Sequence, residues 1–196
     1  MLAALLLMAA LTPAAARTAS PADVAACVAL RALPAQSMDL LESRLSDEGQ
    51  AALMALAQSG GVAAQDQVWW REQLAEAGEI DGERLRHWAE QGFERCTARV
   101  APRSLPEQRM ACGSDLDTLP VILLYRADGV TLAEARRDLR EGSAAEGLEA
   151  ARADAMLRFS YEGPGPRKGA TERWMRERQQ AWVARCLRAA VPGAHP

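Results

Sequence analysis

Four cysteines, Cys27, Cys96, Cys112 and Cys186, are the side chains best suited to chemistry in this chain of 196 residues. Three uses compete for them. Structural zinc takes thiolates in close pairs, because a short turn aims two ligands at one ion. No two cysteines here stand closer than sixteen positions, and neither His87 nor His195 is spaced to pair with one. No metal site is expected. A nucleophilic cysteine needs a nearby base and a setting that lowers its pKa. Cys96 and Cys186 fall near the C-terminal ends of predicted helices, where the dipole disfavours a thiolate. An even number of cysteines suits disulfides, and four allow three pairings. Sequence order favours Cys27–Cys96 with Cys112–Cys186, because each bridge then closes one half of the chain.

Acid–base candidates are few. His87 stands near Glu83, Glu90 and Glu94, but no second group converges on it, so a surface position is expected. His195 belongs to the tail. Asp115 and Asp117 read as ordinary helix caps. The sequence holds no G-x-S-x-G, no H-E-x-x-H and no phosphate-binding glycine loop. No catalytic residue is assigned and no cofactor is expected. Trp69, Trp70, Trp88 and Trp182 follow core spacing, and Trp174 is the tryptophan expected to be partly exposed. Arg136, Arg137 and Arg140 alternate with Glu134, Asp138 and Glu141, as on a solvated helix face. Tyr161, Arg167, Lys168 and Trp174, in and beside the loop YEGPGPRKGAT, are set aside for partner binding.

The elements that must position these residues all read as helix. Ser20-Pro21 caps a helix over about 21–33, with Val24, Cys27 and Val28 on one face and Pro34 ending it. Ser37 caps a short helix carrying Met38, Leu41 and Leu45. Ser46 caps the next, with Leu53, Leu56 and Ala57, and Gly60-Gly61 stops it. A helix over about 64–77 bears Val68, Trp69, Trp70 and Leu74 and stops at Gly78. Asp81 begins another, where Leu85, Trp88, Gly92 and Cys96 recur at helical spacing. Residues 101–118 are read as a joint rich in Pro, Gly and Ser, with Ser104 and Glu107 capping one turn. The apolar run 119–129 suits a buried strand or a buried helix; with no partner strand in the chain it is read as helix, with Pro120 in its first turn. Gly129 closes it. Thr131-Leu-Ala-Glu134 is a capping box for the helix that follows. Ser143 caps a helix to about Tyr161 that carries Leu148, Met156 and Phe159. Thr171 caps the last helix, with Met175, Trp182, Cys186 and Ala190 along one stripe and Arg173, Glu177, Gln180, Ala184 and Arg188 toward water. The fold class is therefore all-α: a disulfide-linked bundle of about nine helices, in an N-terminal half (17–100) and a C-terminal half (119–191), with a tail at 192–196. Each half opens with a cysteine and ends on Arg-Cys, at Arg95-Cys96 and Arg185-Cys186, as two similar halves would.

Composition sets the address. Hydrophobic residues make up 49% and charged ones 25%, which is globular rather than disordered. The net charge is −3, against the basic excess a nucleic-acid binder carries. Leu2 to Leu11 is an apolar run of ten residues. A bilayer span needs about 20, so the run fits a secretory signal, with Ala14-Ala15-Ala16 as the cleavage site and residues 1–16 removed. A buried N-terminal helix is one rival. Lipidation at Cys27, in Val24-Ala-Ala-Cys27, is the other, although Pro13, Arg17, Pro21 and Asp23 intervene. A periplasmic or secreted protein without a membrane span in its mature chain is expected.

The order Cys112, apolar helix, Arg126-Ala-Asp-Gly-Val-Thr131, capped helix, Tyr161-x-x-Pro164 and a last helix ending in Cys186 resembles a group of small exported helical proteins of Gram-negative bacteria. The resemblance covers residues 112–186 and implies no activity. The leading functional expectation is a binding or inhibitory module that acts on another protein through its surface, such as an immunity protein, an inhibitor or an envelope accessory protein. Two alternatives stand beside it: a helical hydrolase of envelope polymers with a lone Glu as acid, and a periplasmic chaperone-like or stress-response protein.

Overall fold

Reciprocal caps start two of the helices, and left-handed glycines end two. A computed structural model describes residues 19–36, 47–76, 80–141 and 150–188. These form eight helices and no strand. Helix α1 is Pro21–Gln36, α2 Asp47–Ser59, α3 Ala64–Glu76 and α4 Gly82–Val100. Helix α5 is Pro106–Ala127, α6 Leu132–Glu141, α7 Ala150–Tyr161 and α8 Thr171–Arg188. At α1 the Ser20 amide donates to Asp23 Oδ2 at 2.7 Å, and the Asp23 amide donates to Ser20 Oγ at 3.3 Å. Thr131 and Glu134 repeat that exchange before α6, at 3.0 and 3.3 Å. Asp81 caps α4 by accepting from the Arg84 amide at 2.7 Å. Gly61 and Gly129, at φ +84° and +80°, each close a helix with paired bonds that run back into its last turn, as in Val62 N to Ala57 O and Val130 N to Tyr125 O. The signal segment, the short helix expected after Ser37, Gly78, Ser143 with Leu148, and the tail lie outside the described residues.

Three boundaries differ from the sequence reading. Pro34 does not end α1 but sits inside its last turns. The backbone bond that a proline deletes is cheap to lose so close to a helix end. The joint is only residues 101–105, because α5 starts at Pro106 and runs 22 residues through Cys112 and Pro120. Pro120 is therefore interior and not in a first turn. The Gly, Ser and Asp residues that make 106–118 look like a linker lie instead within a helix, Gly113 and Asp115 on its buried face and Ser114 and Asp117 on its exposed one. Ser104 does not cap that helix: its hydroxyl donates to the Ala101 carbonyl at 2.6 Å, and Leu105 holds the cap position.

Four long helices make the frame. α1 packs on α4 and α8, α5 packs on α4 and α8, and the short helices α2–α3 and α6–α7 flank that ring. One apolar cluster fills it, from Val24, Leu30 and Leu33 of α1 to Leu119, Ile122 and Leu123 of α5 and Val183 of α8. Each such side chain contributes about 1.5–3 kcal/mol on full burial. Disulfides close the ring on two sides, Cys27–Cys96 between α1 and α4 and Cys112–Cys186 between α5 and α8. Helices α4 and α5 approach closely because Gly113 lies against the Phe93 ring, where an added methyl would stand 3.1 Å from it.

Candidate functional site

The strongest polar feature is inside the C-terminal half. Asp115 lies three residues after Cys112, on the same inward face of α5, and is fully buried. A lone carboxylate there would be forbidden by its desolvation cost. Arg152 of α7 meets it with both arms of its guanidinium, Nε to Oδ1 at 2.5 Å and Nη2 to Oδ2 at 2.8 Å. The Trp182 indole N–H of α8 donates to Oδ2 at 2.7 Å. One side chain thus ties α5, α7 and α8 together, and Arg152 Nη2 also reaches Cys186 Sγ at 3.4 Å. Reading Asp115 as a cap was wrong, since it sits mid-helix and bonds across helices. The signal was in the sequence, in its spacing from Cys112; the partner was not, because nothing local points to Arg152.

A second knot centres on Arg31, which no local pattern singles out. Its guanidinium is buried to 7% exposure and donates to Asp117 Oδ2 at 2.7 Å and to Glu90 Oε1 at 3.4 Å. Asp117, also read as a cap, instead links α5 to α1. Partial burial raises its carboxyl above the usual range, against the pull of Arg31 and with Glu90 adding to the rise. His87 is exposed and shares a 2.9 Å contact with Gln91. Beside the knot is a hollow of about 300 Å³, lined by Arg31, His87, Glu90, Phe93 and Met110. Glu90 itself is 53% exposed, so it does not sit on the floor of an apolar cleft. A third pair, Asp66 with Arg99 at 2.7 Å, clips α3 to α4.

A larger hollow among the described residues is a groove of about 600 Å³ between α1, the end of α2 and α8. Ala25, Ala29 and Ala32 of α1, with Gly60, line it from one side; Met175, Arg176 and Gln179 of α8 line it from the other. Side chains on the first wall are small, and those on the second are long.

The residues set aside for partner binding separate. Arg167 and Lys168 are exposed in the loop between α7 and α8. Tyr161 is half-buried and donates from its hydroxyl to the Val130 carbonyl at 2.9 Å, with Arg126 over its ring. Trp174 is partly buried against the core. Arg136 is not a purely solvated charge, because it holds Asp154 of α7 at 2.7 Å, while Arg137 and Arg140 are exposed. Ala184, expected toward water, is buried. Cys27 is covalently bonded to Cys96 and fully buried, which excludes it as a lipidation site in this fold. No group of acidic, histidine and cysteine side chains among the described residues is arranged to hold a metal.

These features define the class: an all-α scaffold whose helices are joined by two disulfides and by several interhelical ion pairs. Compared with protein-family models, with curated proteins and with solved structures, the chain matches none of them. No described helix is long and apolar enough to cross a membrane, and this with the two disulfides is compatible with export.

Proposed function

We propose that the protein is an exported binding or inhibitory module that acts on another protein through its surface, in the periplasm or outside the cell, after removal of residues 1–16. The observation that carries this reading is the use to which the inner charged groups are put. Asp115–Arg152, Arg31–Asp117 and Asp66–Arg99 each join two helices. These charged side chains are committed to holding the frame, and the α1–α8 groove is a concave face that the frame presents. A rigid scaffold with a preformed groove lowers the entropy lost when a partner docks.

Co-purification tests it. The oxidised chain, cross-linked in envelope extracts, is expected to retain one protein partner. Arg176→Glu combined with Ala25→Trp, which reverses a rim charge and fills the groove, is expected to lose it with helix content unchanged. Retention of the same partner by the variant would place binding elsewhere, and repeated failure of the wild-type chain to retain any protein would remove the reading.

A further inference from the structure

The two disulfides have different neighbours. Cys27 and Cys96 both lie within the apolar core. Cys112 is equally buried, but Cys186 is partly exposed. Its Sγ stands 3.4 Å from Arg152 Nη2 and 3.9 Å from Asp115 Oδ2. A guanidinium at the sulfur favours a thiolate there, and a partly exposed, electropositive setting is where thiol–disulfide exchange takes place. The Asp115 carboxylate opposes this. However, Arg152 engages both of its oxygens and Trp182 donates to the one nearer the sulfur. We infer that Cys112–Cys186 is a thiol–disulfide exchange site, entered at Cys186 by a dithiol reductant, whereas Cys27–Cys96 is a permanent cross-link.

Burial of Cys112 sets the direction of attack. One thiolate of the dithiol attacks Cys186 Sγ. A mixed disulfide forms there as the Cys112–Cys186 bond breaks, and the electron pair passes to Cys112 Sγ, which takes up a proton. The second sulfur of the dithiol, deprotonated, then attacks its own partner sulfur in the mixed disulfide. Cys186 leaves as a thiolate beside Arg152. The protein gains two electrons, and the dithiol becomes a disulfide. Both forms of the reduced Cys186 have a partner at hand: Arg152 can donate to the thiolate, and Asp115 can accept from the thiol. Helix α8 keeps other ties, from Trp182 to Asp115, from Gln108 to the Cys186 carbonyl at 2.7 Å and from Arg188 to the Ala19 carbonyl at 2.9 Å. Reduction therefore opens a covalent link without releasing the helix.

The test uses the full oxidised chain, dithiothreitol as the dithiol, and timed alkylation read by mass spectrometry at each cysteine. Cys112 and Cys186 are expected to become free at least on the order of tenfold sooner than Cys27 and Cys96, and with the monothiol glutathione in place of dithiothreitol the first mixed disulfide is expected at Cys186, with Cys112 released as the thiol. Arg152→Gln is expected to slow opening of Cys112–Cys186 severalfold, and Arg152→Lys to restore most of the rate. A merely structural Arg152 gives the opposite sign, because loosening α7 exposes the bond and speeds its reduction. Equal reduction of the two bonds, earlier release of Cys27–Cys96, or faster opening in Arg152→Gln would each overturn the inference.

Discussion

The two halves of the molecule solve one problem with different materials. Each begins with a proline-started helix whose seventh residue is a cysteine, PADVAAC at 21–27 and PEQRMAC at 106–112. Each ties that helix to a later one that carries Arg-Cys, at Arg95-Cys96 and Arg185-Cys186. The surroundings then part. In the N-terminal half Trp69, Trp70 and Trp88 stack edge to face at 5.9 Å spacings, and the buried Trp70 indole N–H has no hydrogen-bond partner among the described residues. In the C-terminal half the Trp182 indole N–H meets Asp115, and a carboxylate and guanidinium occupy the space beside the disulfide. The first half leans on shape and apolar contact. The second leans on a polar network, which is strong when complete and costly when one member is missing.

Breaking the covalent links gives the largest effect. Each disulfide closes a loop of about 70 residues, with sequence separations of 69 and 74. Replacing either pair by Ala is expected to cost about 4 kcal/mol through the freed unfolded chain. Urea unfolding monitored by circular dichroism checks this. The midpoints of the two variants should fall by similar amounts, since the loops are nearly equal. If the loss of Cys112–Cys186 were nearly neutral, the Asp115 knot and the other noncovalent ties of α8 would be holding it.

Asp115→Ala comes next and acts only in the second half. It leaves Arg152 and the Trp182 N–H without their acceptor, and breaking a buried charged pair costs about 3–5 kcal/mol, here toward the lower end because Arg152 is 30% exposed. Asp115→Ala combined with Arg152→Met is expected to recover part of that loss, because the orphaned guanidinium goes too. A double variant less stable than the single one would show that Arg152 contributes by packing alone. The apolar half has a counterpart in shape. Gly113→Ala drives a methyl to 3.1 Å from Phe93, a ring that is itself buried. Overpacking of this kind costs about 1–3 kcal/mol, more than the helix propensity gained over Gly. An unchanged melting temperature would mean that the α4–α5 contact yields freely.

Legibility followed the range of the signal. The helices, the capping box at Thr131 and the stops at Gly61 and Gly129 are written in adjacent residues, and local chemistry determines them. Cys96 and Trp88 share a face through spacing alone. The run 106–118 misled because Gly113, Ser114, Asp115 and Asp117 are linker-like in composition, yet Gly113 packs on Phe93 of α4, Asp115 bonds to α7 and α8, and Asp117 bonds to α1. Tertiary contact overrides propensity at such positions. The knots at Arg31 and Arg152 were not legible at all. Their partners lie 86 and 37 positions away, and a sequence carries no local mark of such a pairing. The groove is equally invisible, because its walls come from helices at opposite ends of the chain.

The smallest effect lies where the halves meet, at Asp117. Its folded-state pKa is raised above the usual 3.8, by burial first, with Glu90 adding to the rise and Arg31 and Arg86 opposing it. A raised carboxyl means that the folded chain holds the proton more tightly than the unfolded one. Its stability contribution is therefore fully present below pH 3.8 and is lost as the pH climbs through the folded value. The side chain is 60% exposed, so solvent screening keeps the amplitude small. Asp117→Asn cannot titrate. It carries a constant loss of the Arg31 bond, but not this decline. The stability of the variant relative to the wild type should shift in the variant's favour as the pH rises from below 3.8 into the mildly acidic range. A parallel pair of curves across that window would show that Arg31 cancels the desolvation of Asp117.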